Sequence, residues 1–174
     1  MSDVELSPEV FTTDYAGEPG RREFFVQARG VFGAVTYRAE KQQVQVLAEK
    51  LRELLLLVDE TDTIQDTTFQ RDPAMALEAP LEPEGRIGAI ALAYEESSDA
   101  VVVLIQDAEA EEEEPVAPVG GALRLRLRRD QVRAFVLHAL AVVDEGRPIC
   151  PLCSLPVDPA GHDCPAGNGH RPPG

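Results

Sequence analysis

Leu123-Arg124-Leu125-Arg126-Leu127-Arg128-Arg129-Asp130-Gln131-Val132-Arg133-Ala134-Phe135 changes its hydrophobic period partway along, and that change decides the fold class. Leu123, Leu125 and Leu127 alternate with arginines, the period-2 pattern of a strand with one buried and one wet face. From Asp130 the apolar residues Val132, Phe135, Val136, Ala139, Leu140 and Val143 recur at spacings of three and four, the stripe of an amphipathic helix. The charge of Asp130 suits the first turn of that helix, and Gly146 followed by Pro148 stops it.

The same switch occurs 88 residues upstream, where Val35 falls on Leu123, Tyr37 on Leu125, Gln43 on Gln131, Val44 on Val132 and Leu47 on Phe135. Residues 40 to 58 read as a helix with Val44, Leu47, Ala48, Leu51, Leu54, Leu55 and Val58 on its apolar face and Gln45, Lys50 and Glu53 on its wet one. Leu56 and Leu57 fall off this stripe, so the end of the helix is apolar nearly all round. Such an end is either deeply buried or in contact with another chain, and a homodimer is one expectation.

Strands are predicted ahead of each helix. In the first half they are Val10 to Tyr15, Glu23 to Arg29 and Ala34 to Arg38, with turn signals at Gly17-Glu18-Pro19-Gly20 and at Gly30 and Gly33. In the second they are Arg86 to Tyr94, Ala100 to Gln106 and Leu123 to Leu127. The unbroken Val101 to Ile105 suggests a central strand covered on both faces. The expected fold is α+β in two layers: an antiparallel sheet of about six strands with two helices on one face, built from a repeated β-β-β-α unit. A partly closed barrel is the alternative, disfavoured by the single apolar stripe of each helix. Residues 59 to 85, with Pro73, Pro80 and Pro83, read as a long irregular connection with at most a short turn of helix, and the acidic stretch 108 to 119 as a solvated loop insertion.

The chain of 174 residues is 44% hydrophobic and 27% charged, a composition that excludes wholesale disorder. Its net charge of −15 argues against nucleic acid and anionic lipid as partners. The apolar runs are far short of the roughly 20 residues needed to cross a bilayer. The acidic Met1 to Glu5 is followed by no apolar stretch of signal-peptide length, so a cytoplasmic location is expected. Residues 1–146 form the expected α+β domain and 147–174 a small appended segment.

That segment carries the interpretable chemistry. Cys150, Cys153, His162 and Cys164 are spaced C-x2-C-x8-H-x-C among prolines and glycines that favour no regular structure. Two cysteines flanking a tight turn can direct both sulfurs at one ion, and three thiolates with one imidazole favour tetrahedral Zn2+. Four protein ligands leave no position for water, so the expected role is structural, as in a zinc knuckle. His170 is the alternative fourth ligand. A redox Cys-x-x-Cys is disfavoured because no strand precedes it in the required unit. The Pro-x-Cys-x-x-Cys half of a zinc deaminase signature lacks its His-x-Glu, since His138 is followed by Ala139 and Leu140. His138 itself reads as a partly exposed helix residue.

Phosphate-loop, dinucleotide, nucleophile-elbow and zincin motifs are missing from the sequence. The expectation is therefore a noncatalytic adaptor or scaffold with a protein partner. The alternative is an enzyme or binding protein for a phosphorylated or acidic metabolite held by Arg124, Arg126, Arg128 and Arg129.

Taken in order, Gly17-Glu18-Pro19-Gly20-Arg21-Arg22-Glu23-Phe24-Phe25-Val26-Gln27-Ala28, Glu40-Lys41-Gln42-Gln43-Val44, Arg86 to Tyr94, and Cys150-Pro151-Leu152-Cys153 through Asn168-Gly169-His170-Arg171 resemble the actinobacterial family known as domain of unknown function 3090. The resemblance covers nearly the whole chain and implies an intracellular actinobacterial protein. It implies no reaction. The acidic insertion at 108 to 119 departs from the family pattern.

Overall fold

In the computed structural model, residues 4–18, 20–62, 64, 68–109, 122–145, 151–153 and 164 are described. Strands β1 (Val4–Leu6), β2 (Val10–Ala16), β3 (Glu23–Gly30) and β4 (Gly33–Ala39) precede helix α1 (Lys41–Val58). A long connection containing one 3-10 turn, Pro73–Met75, leads to β5 (Gly85–Glu95), β6 (Ala100–Asp107), β7 (Leu123–Leu127) and helix α2 (Arg129–Asp144). The reversal between β2 and β3 uses Gly17 and Gly20, both at positive φ, a conformation that costs glycine nothing.

Among the described residues the strands form one sheet of seven in the order β1-β7-β6-β5-β4-β3-β2. The expected all-antiparallel sheet of about six strands is corrected in two respects. The strand β1 is additional, and both β1 with β7 and β4 with β5 pair in parallel. Strand period fixes which face a residue takes and says nothing of the direction of its neighbour. The sheet also curls strongly. Its edge strands β1 and β2 are joined by only residues 7–9, a link that spans at most about 14 Å. A flat sheet of this size would hold its edges roughly 29 Å apart.

The directly paired residues Phe11, Ala28 and Val35, then Thr13, Val26 and Tyr37, lie on one face of the sheet. Leu123, Leu125 and Leu127 of β7 lie on that face beside Ile105, Val103 and Val101 of β6. Both helices bury their stripes on it, and one hydrophobic cluster contains Phe11, Val26, Val103 and Leu125 together with Leu51, Leu55, Phe135 and Val136. The expected placement of two helices on one face is what is observed, and of the run Val101 to Ile105 read as covered on both faces, Val101, Val102, Val103 and Ile105 are buried while Leu104 is half-buried.

The offset of 88 residues recurs in three dimensions. Gln43 and Gln131 each occupy the third position of their helix, and each accepts a hydrogen bond at Oε1 from the backbone N–H of the N-cap, Glu40 or Arg128, at 2.9 Å. Each then donates from Nε2 to two consecutive carbonyls of the other half. Gln43 reaches Ile87 and Gly88 at 3.0 and 3.4 Å, and Gln131 reaches Pro8 and Glu9 at 2.7 and 3.0 Å. Likewise Gly85 pairs with Tyr37 as Leu6 pairs with Leu125. A single strand, β5, runs parallel to β4 at its start and pairs antiparallel with β6 on both sides of a register shift between Ile87 and Ile90. In the other half β1 and β2 share those two tasks. Their break contains Pro8, which cannot donate to a ladder.

Candidate functional site

The two halves differ in how each helix meets the strand of the other half. On one side α2 lies directly on β2, and the rings of Phe11 and Phe135 stack at 4.5 Å between centroids with 15° between planes. The corresponding positions on the other side are Ile90 and Leu47, which are smaller. There α1 and β5 enclose a groove of about 710 Å3. Val46, Leu47, Leu54, Leu57, Ile90 and Leu92 give it an apolar lining, and Glu40, Gln42, Lys50 and Glu53 line it with polar groups. Leu57 is 81% exposed and Val46 is 46% exposed. The sequence signal for this face was the apolar end of the helix at Leu56 and Leu57. Ile90 and Leu92 gave no separate sign, because a strand residue beside a groove has the same pattern as one beneath a helix.

The α2–β2 side is covered by the connection that follows α1, residues 59 to 84, here called the strap. Arg133 of α2 donates to Asp62 at 2.6 Å, and Asp62 in turn accepts the Ile64 N–H at 3.0 Å, with the Ile64 side chain fully buried. Arg71 pairs with Asp14 of β2 and, at 3.4 Å, with Glu145. Thr12 donates to the Met75 carbonyl, and Gln27 both donates to the Glu78 carbonyl and accepts its N–H. The Asp72 N–H donates to His138 Nδ1 at 3.0 Å. The other ring nitrogen, Nε2, lies 3.6 Å from Asp14 Oδ2.

His138 is thus buried, at 2% exposure, against the expectation of partial exposure. It lies off the stripe that faces the sheet and is covered by the strap, which helical periodicity cannot reveal. Burial pushes the Asp14 carboxyl up, but its contact with His138, the Tyr15 N–H and the Arg71 guanidinium together outweigh this and hold it below the ordinary aspartate value. At Asp62 the Arg133 hydrogen bond is the largest influence, and it too lowers the carboxyl.

The arginines of the β7 strand are committed to partners within the chain. Arg124 and Arg126 both bridge Glu5 and Glu95 across the outer face of the sheet. Arg128 holds Asp130 at 2.9 Å, and Arg129 holds Asp99 at 2.6 Å. Their carboxylate partners compensate the positive charge that a phosphorylated or acidic ligand would need.

Of the four sequence-predicted metal ligands, Cys153 and Cys164 are among the described residues and are half-buried; Cys150 and His162 lie outside them. Among the described residues no group of three or more His, Cys, Asp or Glu side chains converges to hold a metal ion. No described helix is long and apolar enough to cross a membrane.

The fold and its grooves define a two-layer α+β protein of two matched halves, one strapped and one open. The chain belongs to the family described as a protein of unknown function (DUF3090), whose model matches residues 6–164. No curated protein and no solved structure matches the chain.

Proposed function

We propose that the protein is a noncatalytic adaptor or scaffold, working in the cytoplasm, in which the α+β body carries a C-terminal clasp built on one structural Zn2+. The observation that carries this reading is the spacing Cys150-x2-Cys153-x8-His162-x-Cys164. Three thiolates and an imidazole fill a tetrahedral shell, and they do so in a segment whose apolar content is too small to fold it alone. All four ligands fall within the family match, which ends at Cys164 and leaves His170 beyond it. That supports His162 as the fourth ligand. A reducing compartment keeps the thiols available to the metal. The internal pairing of Arg124, Arg126, Arg128 and Arg129 favours this reading over a binder of acidic metabolites.

Elemental analysis of the purified protein tests it. One zinc per chain is expected, lost in Cys150→Ser and in His162→Ala and retained in His170→Ala. A parent protein without zinc refutes the clasp.

A further inference from the structure

We propose that the open groove and the flank of α1 above it dock a second copy of this chain, whose own α1 lies antiparallel to the first across a twofold axis. Val46, Lys50, Glu53 and Leu57 line the groove from α1, and all four are exposed. Their spacing of four, three and four residues places them in one stripe along the helix. Among the described residues Val46 and Leu57 are the only large apolar side chains exposed on a helix. The stripe runs apolar, cation, anion, apolar, so reversing it keeps the spacing and the apolar ends and exchanges only the charges. A twofold axis passing midway between residues 51 and 52 therefore lays Val46 on the partner's Leu57 and Lys50 on the partner's Glu53, each contact occurring twice. A parallel arrangement would instead set Lys50 against the partner's Lys50 and Glu53 against the partner's Glu53.

Within one helix Lys50 already bonds Glu53 at 3.2 Å. The axis sets two such pairs head to tail, so that every charge meets its opposite both along its own helix and across the contact. Exposed ion pairs add little affinity, and their effect here is to select the antiparallel orientation. Affinity comes from the apolar groups that leave water: Val46 and Leu57 of each copy, with Leu54, Ile90 and Leu92 beside them in the groove. The matching flank of α2 shows that this position in the fold is one that other chain covers. At the offset of 88 the four residues fall on Ala134, His138, Ala141 and Glu145. There the strap is held by the Asp72 N–H on His138 and by Arg71 on Glu145. No polar anchor of that kind stands on the α1 flank, whose ends are Val46 and Leu57. The contact between copies goes beyond the proposed clasp and uses none of its ligands.

Sedimentation velocity of the full chain tests the contact. At about 0.15 M salt charges are screened beyond about 8 Å, so the net charge of −15 on each copy does not hide a short-range association. One chain is expected to give way to two as concentration rises through the micromolar range. Lys50→Glu and Glu53→Lys each place two like-charge pairs across the axis, and each should weaken the homodimer about tenfold. Mixed in equal amounts, these two single variants should associate at least as tightly as the parent, because every pair across the axis is then opposite in sign. The double variant Lys50→Glu, Glu53→Lys should restore the homodimer. Leu57→Asn should weaken every combination about tenfold. All three side chains are exposed, so the substitutions leave the core in place. A parent that stays monomeric up to about 200 µM overturns the proposal and leaves the groove to another occupant. So does a dimer that the single charge changes leave unaltered, which would place the contact elsewhere, or a mixture of the two that fails to associate.

Discussion

Replacing Gln131 by Met tests the internal exchange that organises the molecule. The side chain is buried, at 8% exposure, and makes three hydrogen bonds, accepting from the Arg128 N–H at 2.9 Å and donating to the carbonyls of Pro8 and Glu9 at 2.7 and 3.0 Å. Met matches its length and supplies neither acceptor nor donor of useful strength. Each intramolecular hydrogen bond is worth about 1 kcal/mol net, so the variant should lose about 3 kcal/mol. In a chain of this size that lowers Tm by roughly 6–12 °C. Gln43→Met should lose less, about 2 kcal/mol, because Gln43 is half-buried and its contact with the Gly88 carbonyl is long at 3.4 Å. Urea unfolding followed by circular dichroism gives both values from the midpoint at constant slope. The two sites share no partner, so the double variant should equal the sum within about 0.5 kcal/mol. A loss below about 1 kcal/mol for Gln131→Met would refute the reasoning, since the glutamine would then be a passenger at the junction.

Phe135→Ala removes a fully buried ring from its stack on Phe11 and should cost about 3–5 kcal/mol, whereas Leu47→Ala at the matching position borders the open groove and should cost about 2–3 kcal/mol. Equal losses by urea unfolding would contradict the assignment of one filled and one open junction. Asp14 and Asp62 both titrate below their ordinary values in the folded protein, so the stability they add is complete above the unfolded carboxylate value and drains away as pH falls below about 4 through their lowered folded values. Unfolding midpoints at pH 7, 5 and 3.5 should be level between the first two and drop at the third. Arg133→Gln, which takes the leading influence from Asp62, should make that acid drop shallower, and an identical drop in the variant would show that the strap's ion pairs do not set it.

What the sequence disclosed follows from which interactions are local. The strand-to-helix switches at Val35 to Leu47 and Leu123 to Phe135 were legible because period and face are properties of a short stretch, and the glutamines at 43 and 131 aligned because each caps its own helix. The parallel pairings were not legible, since they join β1 to β7 and β4 to β5 through carbonyls and amides that every residue carries. Val4 to Leu6 is too short for a period to register. His138 was misplaced for a related reason. Its burial is imposed by Asp72 of the strap, 66 positions away, and a segment with no period of its own announces no destination. The four candidate zinc ligands are the opposite case: their spacing is explicit in the sequence, and two of them, Cys150 and His162, lie outside the described residues.

The asymmetry between the halves also explains why a matched pair of units serves better than one. Alone, a β-β-β-α unit would leave the ladder of its last strand unpaired and the third-position glutamine of its helix without carbonyls to reach, and both are supplied by the other unit. The exchange fixes the backbone of both halves, so the side chains at the two helix–strand junctions were free to diverge without loss of the fold. At one junction the aromatic pair Phe11 and Phe135, with the polar Asp14, Arg71 and His138 above it, is built for permanent burial beneath the strap. At the other, Leu47 and Ile90 replace the rings, alanines replace Thr12 and Asp14, Leu57 replaces Glu145 and Lys50 replaces His138, and the charged groups that line the groove, Glu40, Lys50 and Glu53, are exposed to water. A groove whose apolar residues are flanked by charges already in water can be covered and uncovered chiefly at the cost of its apolar area, whereas uncovering the strapped side would strand the buried Asp14 carboxylate. The open junction is therefore the side of the molecule on which an exchangeable contact can be made.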